Sequence, residues 1–424
     1  MPSQPAKKPA KDTAKKSAKR AQVKLRDDGE DVYLMEPMRI SEECDARQSL
    51  TDRVLDLTKR SSSFRAGLPK GLADPLADFV RSMNCYYSNL IEGRNTLPIN
   101  IERALHNDFS QNVEKRNLQL EAKAHIEVQR WIDEGGLDGK EMTAAGVKEL
   151  HRRFTNLLPE ELRWVEDPKT GERRPVIPGE WRDHDAVVGR HVPVSPGAVP
   201  RFMNRFEARY ATLGSFESIL ATGPAHHRFV YIHPFGDGNG RVSRLMSYAT
   251  LRRTLDTAGL WSVARGLARR KDDYMEHLAE CDQIRRGDRD GRGHLGKAAL
   301  CEFTQFFLEV CIDQVSFMEG LMQPAAFRDR ILKWAEEQVS YGTMPAKAPR
   351  ILDAILFRGS LPRAQVAEVI NQSERTANNA TQALVKHGII ASEGARAPWR
   401  IAFPARLAAK LMPGLFPRDA VPEA

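Results

Sequence analysis

Twelve residues, HPFGDGNGRVSR from His233 to Arg244, constrain this chain more than any other stretch. Gly236, Gly238 and Gly240 free the backbone for positive φ and for close approach of a ligand. Successive N–H groups in such a loop form an anion-binding nest, and the residues that follow read as a helix start. A helix N-terminus adds its dipole and its unpaired N–H groups to a phosphate site. Asp237 offers a hard oxygen for Mg²⁺, which binds through one or two carboxylates plus substrate phosphates. Arg241 and Arg244 lie three residues apart, so both guanidinium groups can face one ligand. Pro234 biases His233 toward extended backbone, and a histidine with an ordinary pKa of about 6.5 is a natural base for an attacking hydroxyl.

The rest of the chain sets the setting. At 424 residues it is long enough for two or three domains. The net charge of +8 belongs to residues 1–26, which hold nine basic side chains and one acidic; the remainder carries 55 of each sign. That Ala-, Lys- and Pro-rich stretch reads as a disordered basic tail, without the apolar segment of a secretory signal. No apolar run reaches the length of a membrane span. Five cysteines without CxxC spacing read as buried or free thiols of a reducing, cytoplasmic compartment.

The twelve residues resemble the signature of the Fic family, His-Pro-Phe-x-Asp/Glu-Gly-Asn-Gly-Arg-x-x-Arg, at every fixed position. The resemblance implies a mainly α fold, an all-helical Fic domain with a small β-hairpin flap. It implies transfer of AMP from ATP to a Ser, Thr or Tyr hydroxyl of a target protein, with pyrophosphate released. His233 is then the base and Asp237 the Mg²⁺ ligand. The Gly236–Arg244 loop would cradle ATP, Asn239 and Arg241 gripping the α- and β-phosphates and Arg244 reaching the γ-phosphate.

Upstream, Ala77–Ile91 places Phe79, Val80, Met83, Tyr86, Tyr87, Leu90 and Ile91 on one helical face and ends at Glu92-Gly93, a natural helix stop. Ser88 and Glu92 share a face at i, i+4. In Fic proteins a Ser/Thr-x-x-x-Glu-Gly/Asn element is an inhibitory helix, so the resemblance implies that Ser88, Glu92 and Gly93 form one, Glu92 pairing with Arg244 and displacing the γ-phosphate. Met142–Leu158 reads as a helix, Asp167–Gly171 as a turn, and the stretches after Pro178 as short extended pieces. The family's target-docking flap would fall at Val187–Val192, with Val187, Val188, Gly189 and Val192 beside the base. Helices are expected over Val199–Leu213 and Phe216–Tyr231, the second interrupted or kinked at Gly223-Pro224. His226 and His227 read as polar filler. Tyr274 is the implied stacking partner of a base; Met275 and Asp282 stand where the family often has Tyr and Asn, leaving nucleotide preference open. The Gly287–Gly296 loop lacks the closing Glu of a Ca²⁺ loop.

A boundary is expected at Gln323-Pro324, giving a 27–323 catalytic unit and a 324–424 module. In the latter, Pro362–Ile370, a turn at Asn371-Gln372, a helix capped by Ser373 and a hairpin around Ile390 and Trp399–Ile401 follow a winged helix-turn-helix plan. Arg375, Asn378, Arg396 and Arg400 would face DNA, or the module would bind protein or a second copy of the chain as a homodimer. Alternatives to AMP transfer are a nucleotide-sensing DNA-binding regulator, transfer of phosphate or phosphocholine, and removal of AMP.

Overall fold

The computed structural model describes residues 25–69, 71–166, 171–417 and 420. The basic tail up to residue 24, and the turn expected at Asp167–Gly171 apart from Gly171 itself, lie outside the described residues. Arg26, assigned to the tail, is held instead: its side chain pairs with Asp28 and Asp185, and its carbonyl accepts from Gly197 N–H.

The chain is mainly helical. In order come α1 (Arg47–Gly67), α2 (Ala73–Ile91), α3 (Pro98–Leu105), α4 (Val113–Asp133) and α5 (Ala144–Leu157). A hairpin of β1 (Trp164–Glu166) and β2 (Arg173–Pro175) follows, pairing Val165 with Arg174. Then come α6 (Val199–Tyr210), α7 (Ser215–Ile232), α8 (Asn239–Leu255), α9 (Val263–Arg269), α10 (Lys271–Cys281) and α11 (Lys297–Leu321). The last part holds α12 (Pro324–Ser340), α13 (Ala348–Arg358), α14 (Val366–Ile370), α15 (Glu374–Lys386), β3 (Ile390–Ala391), β4 (Arg400–Ile401) and α16 (Ala408–Leu411). The Ser373 hydroxyl caps α15 by accepting from Thr376 N–H. β3 pairs antiparallel with β4, and Leu361 bridges Trp399.

The α2 stripe is buried as its spacing demands, and the helix stops as Gly93 dictates. Gly93 turns left-handed at φ +77°, Arg94 N–H bonds Asn89 O and Gly93 N–H bonds Leu90 O. That turn aims Glu92 off the helix end. α7 departs from expectation: it runs unbroken through Gly223-Pro224. A Cβ on Gly223 would stand 3.4 Å from Thr304 and Phe307 of α11, so the glycine lets the two helices approach closely.

The apolar core is continuous across residue 323, where α11 gives way to α12. One apolar cluster runs from Leu50 and Val80 through Phe303 and Phe307 to Trp334, Ile355 and Ile401. Phe416 stacks on Tyr87 with ring centroids 6.3 Å apart and meets Phe79 and Tyr86 edge-on. Tyr87 Oη donates to Leu415 O at 2.8 Å, and Arg265 donates to Gly414 O at 2.6 Å. The five cysteines are free and buried. Among the described residues no helix is long and apolar enough to cross a membrane.

Candidate active site

α7 and α8 pack together and are joined by the signature turn, whose backbone is fixed from inside. His233 caps α7 in the left-handed region, φ +50°, where Pro234 had suggested extended backbone. Its N–H still closes on Phe229 O, so the last helical hydrogen bond and the αL cap outweigh the bias imposed by the following proline. Asn239 Oδ1 accepts from Phe235 N–H at 2.9 Å and its Nδ2 donates to Phe235 O at 2.8 Å. The amide expected to grip phosphate is thus spent on stapling the loop, and Asn239 is buried. His151 stacks on Phe235 at 3.9 Å and accepts from Gly179 N–H at Nδ1, which leaves Nε2–H for Asp237 O at 3.3 Å. Gly238, at φ +84°, then starts α8.

Arg182, which the sequence reading did not single out, holds this turn to the flap. Its Nε donates to His233 O at 2.7 Å, Nη1 to His184 O at 2.8 Å, and Nη2 to Val194 O. Burial pulls its pKa down to about 10. The flap between these anchors is a tight hairpin: Val188 and His191 exchange both backbone hydrogen bonds at 2.9 Å around Gly189, φ +59°. Val187 and Val192 are 54% and 70% exposed. His191 Nε2 donates to Tyr231 O at 2.7 Å, which docks the flap two residues before His233.

The charged groups converge at the start of α8. Arg244, almost wholly buried, donates from Nε to Ser88 Oγ at 2.9 Å and from Nη2 to Glu92 Oε1 at 2.5 Å. A Cβ on Gly240 would lie 2.3 Å from Glu92 Oε1, so the carboxylate rests on the first turn of α8. Burial works to raise the Glu92 carboxyl; Arg244, with Arg241 and Arg94 behind it, outweighs burial and holds it below the ordinary value. Arg241 pairs with the buried Glu121 of α4 and with Asp237 Oδ2 at 2.8 Å, its guanidinium 4.9 Å from the Phe154 ring centroid. Burial, then the neighbouring Arg94, lowers its pKa to about 9. Glu121, which also pairs with Arg94, was not foreseen.

His233 Nδ1 is buried and has no hydrogen-bond partner among the described residues. Burial first, then Arg182 and His191, pull its pKa to about 3, far below the ordinary value expected from sequence. The ring is therefore neutral, with a lone pair available to take a proton. Asp237 keeps one oxygen beyond Arg241, and its side chain is 45% exposed. Among the described residues no group of three or more His, Cys, Asp or Glu could hold a metal. Magnesium held by one carboxylate and substrate phosphates needs no such cage, so Asp237 fits that ion. Tyr274 does not fit a stacking role: it is 2% exposed, and its hydroxyl is 2.7 Å from His226 Nε2. Asp282 is engaged by His227 at 3.0 Å.

Residues 141–251, from just before α5 into α8, match the Fic/DOC family. Curated relatives named protein adenylyltransferase Fic include one from Drosophila willistoni, 34% identical over 128 residues, 29% of this chain and 22% of the relative. One from Aedes aegypti is 34% identical over 114 residues, 26% of this chain and 20% of the relative. The chain thus spans about a fifth of the length of these relatives. Among solved structures, a Fic family protein from Desulfovibrio desulfuricans G20 aligns with TM-score 0.49 at 17% identity, covering 86% of this chain and 98% of that one. A Fic domain containing signaling protein from Bacteroides thetaiotaomicron VPI-5482 aligns with TM-score 0.45 at 20% identity, over 65% and 96% of the two chains.

Proposed function

We propose, from the premise that residues 141–251 form a Fic domain, that this chain is an autoinhibited protein adenylyltransferase. The observation that carries the reading is the Glu92 carboxylate lying on Gly240 and Arg244. A side-chain anion there stands in for a phosphate group at a helix N-terminus. The name shared by the relatives from Drosophila and Aedes supports ATP as donor and a protein as acceptor.

In the proposed reaction ATP lies along the Gly236–Arg244 loop, its phosphates facing the α8 N-terminus. A Ser, Thr or Tyr of the target, laid beside Val187–Val192 by strand addition, presents its hydroxyl to His233. His233 takes the hydroxyl proton while the oxygen bonds to the α-phosphorus. The bond from that phosphorus to the bridging oxygen breaks, and pyrophosphate leaves with the electron pair. Arg244, released from Glu92, and Arg241 stabilise charge on the departing group. Magnesium held by Asp237 would supply further positive charge to the phosphate oxygens. Glu92 slows the resting enzyme because it occupies the Arg244 donors and repels the triphosphate.

For the C-terminal module, we read α13–α15 with β3 and β4 as a winged helix that serves protein contacts rather than DNA. Arg375 and Asn378 are exposed on α15, but Arg400 on the would-be wing is paired with Glu393 at 3.1 Å.

ATP labelled at the α- or the γ-phosphate tests the reading, with wild type, Glu92→Gly and Glu92→Gly/His233→Ala scored for label left on protein. The expected result is label from the α position alone, at least about tenfold stronger in Glu92→Gly and absent in the double variant. Label from the γ position would make the chain a phosphate transferase. No label in any variant, with nucleotide bound, would favour a nucleotide-sensing regulator.

A further inference from the structure

A cleft of about 400 Å³ lies where the N-terminal half of α2 meets α3, α4 and the C-terminal module. It sits some 13 residues from Glu92 along the chain, about 20 Å at the rise of an α-helix. Its volume falls in the range of small-molecule sites. One wall is aromatic: Phe79 lies 5.6 Å from Phe403 and 5.9 Å from Phe416, the latter edge-on. Such rings favour a planar apolar body laid against them.

The charges around the cleft are mostly neutralised by one another. Asp78 pairs with Arg81, and Arg400 pairs with Glu393 and reaches Asp74 at 4.0 Å. Among the described residues, Glu102 of α3 and the exposed Arg130 of α4 line the same cleft without an ion-pair partner within 4 Å, His106 and Arg406 acting on Glu102 only through space. Glu102 Oε2 accepts only the Ala405 N–H, at 3.1 Å, and burial raises its carboxyl above the ordinary range. A carboxylate placed so gains from a cationic donor, and an unpaired guanidinium gains from a carboxylate.

We propose that this cleft binds a small aromatic zwitterion of the aromatic amino-acid class, its ring against Phe79, Phe403 and Phe416, its ammonium on Glu102 and its carboxylate on Arg130. The class follows from the two opposite charges left over beside an aromatic wall; a purely apolar or singly charged ligand would leave one of them uncompensated. The site is separate from the signature turn and owes nothing to the transfer reaction.

L-Tryptophan, tryptamine and indole-3-propionate, titrated into the full chain by ligand-observed NMR, test this without reference to activity. L-Tryptophan should bind saturably, with Kd of about 1 mM or tighter, and both truncated analogues about tenfold or more weakly. Glu102→Gln should weaken L-tryptophan and tryptamine but spare indole-3-propionate; Arg130→Gln should weaken L-tryptophan and indole-3-propionate but spare tryptamine. Ser82→Trp, which fills the cleft from α2, should abolish all binding, and thermal midpoints check that each variant is folded. Tighter binding of either analogue than of L-tryptophan, binding that ignores all three substitutions, or no saturable binding would overturn the proposal.

Discussion

Between Ile232 and Asn239 the backbone is fixed along its whole length by buried side chains: Asn239 inside the loop, His151 beneath it and Arg182 beside it. Between His184 and Val194 the flap is anchored at its ends and through His191, while Val187 and Val192 face solvent. Under the proposed function, that rigidity would keep a base and an anion nest in one geometry, as preorganised stabilisation requires. The flap presents bare backbone edge and apolar side chains, which suits a partner of variable sequence. Arg182 joins the two, its guanidinium shared between the His233 carbonyl and both flap stems. Substitutions in the turn should therefore cost stability and chemistry together, and substitutions on the flap should cost only target capture.

Acid should strike the turn and its supporting core hardest. His125, His226 and His233 are lowered to about 3, and His151 and His227 to about 4, burial being the first cause in each. The unfolded chain protonates them near 6.5, so from there down toward 4 it binds more protons than the folded chain. Stability is full above 6.5 and falls as pH drops through that window, by up to about 1.4 kcal/mol per pH unit for each histidine. Thermal midpoints at pH 7 and pH 5 should differ by many degrees; equal midpoints would remove the buried, neutral histidines from the comparison.

Arg182→Met should come next, because it strips the donor from several buried carbonyls at about 1–3 kcal/mol each. Chemical denaturation should show the loss, and labelled transfer by a Glu92→Gly background should fall with it. Asn239→Ala removes both bonds to the Phe235 backbone and should destabilise by about 2 kcal/mol, with transfer again reduced. An Asn239→Ala protein of unchanged stability would show that the loop does not depend on its staple. Val192→Ser should be mildest: within about 0.5 kcal/mol of wild-type stability, since the residue is exposed, yet with less label on protein. A Val192→Ser protein that labels normally would separate the flap from target capture.

Local chemistry was legible in the sequence where one segment determined it. The α2 stripe and its Gly93 stop and the Ser373 cap each declare themselves within a few residues, whereas of the three signature glycines only Gly238 takes a positive φ and Gly240 lies in the first turn of α8. What stayed hidden depends on partners far along the chain. Glu121 drew no reading from the sequence, because the partner that marks it, Arg241, lies 120 positions later. Arg182 is one arginine among many until its carbonyl partners assemble. The partners of Asn239 and Tyr274 stayed hidden for the same reason, since only packing sets the amide on the Phe235 backbone and the phenol on His226. Of the two outcomes expected at Gly223-Pro224, interruption does not occur, because α7 continues through the proline.

The aromatic seam between α2 and residues 414–416 also has a meaning in time. A ribosome adding about 5–20 residues per second exposes α2 tens of seconds before Leu415 and Phe416 exist. Throughout that interval the Tyr87 hydroxyl has no carbonyl to bond, and one face of Phe79, Tyr86 and Tyr87 stands uncovered. The helix that carries Glu92 is thus among the first parts made and among the last to be seated, so the nascent chain passes through a stage with the His233–Arg244 turn already made and Glu92 not yet held by a finished core.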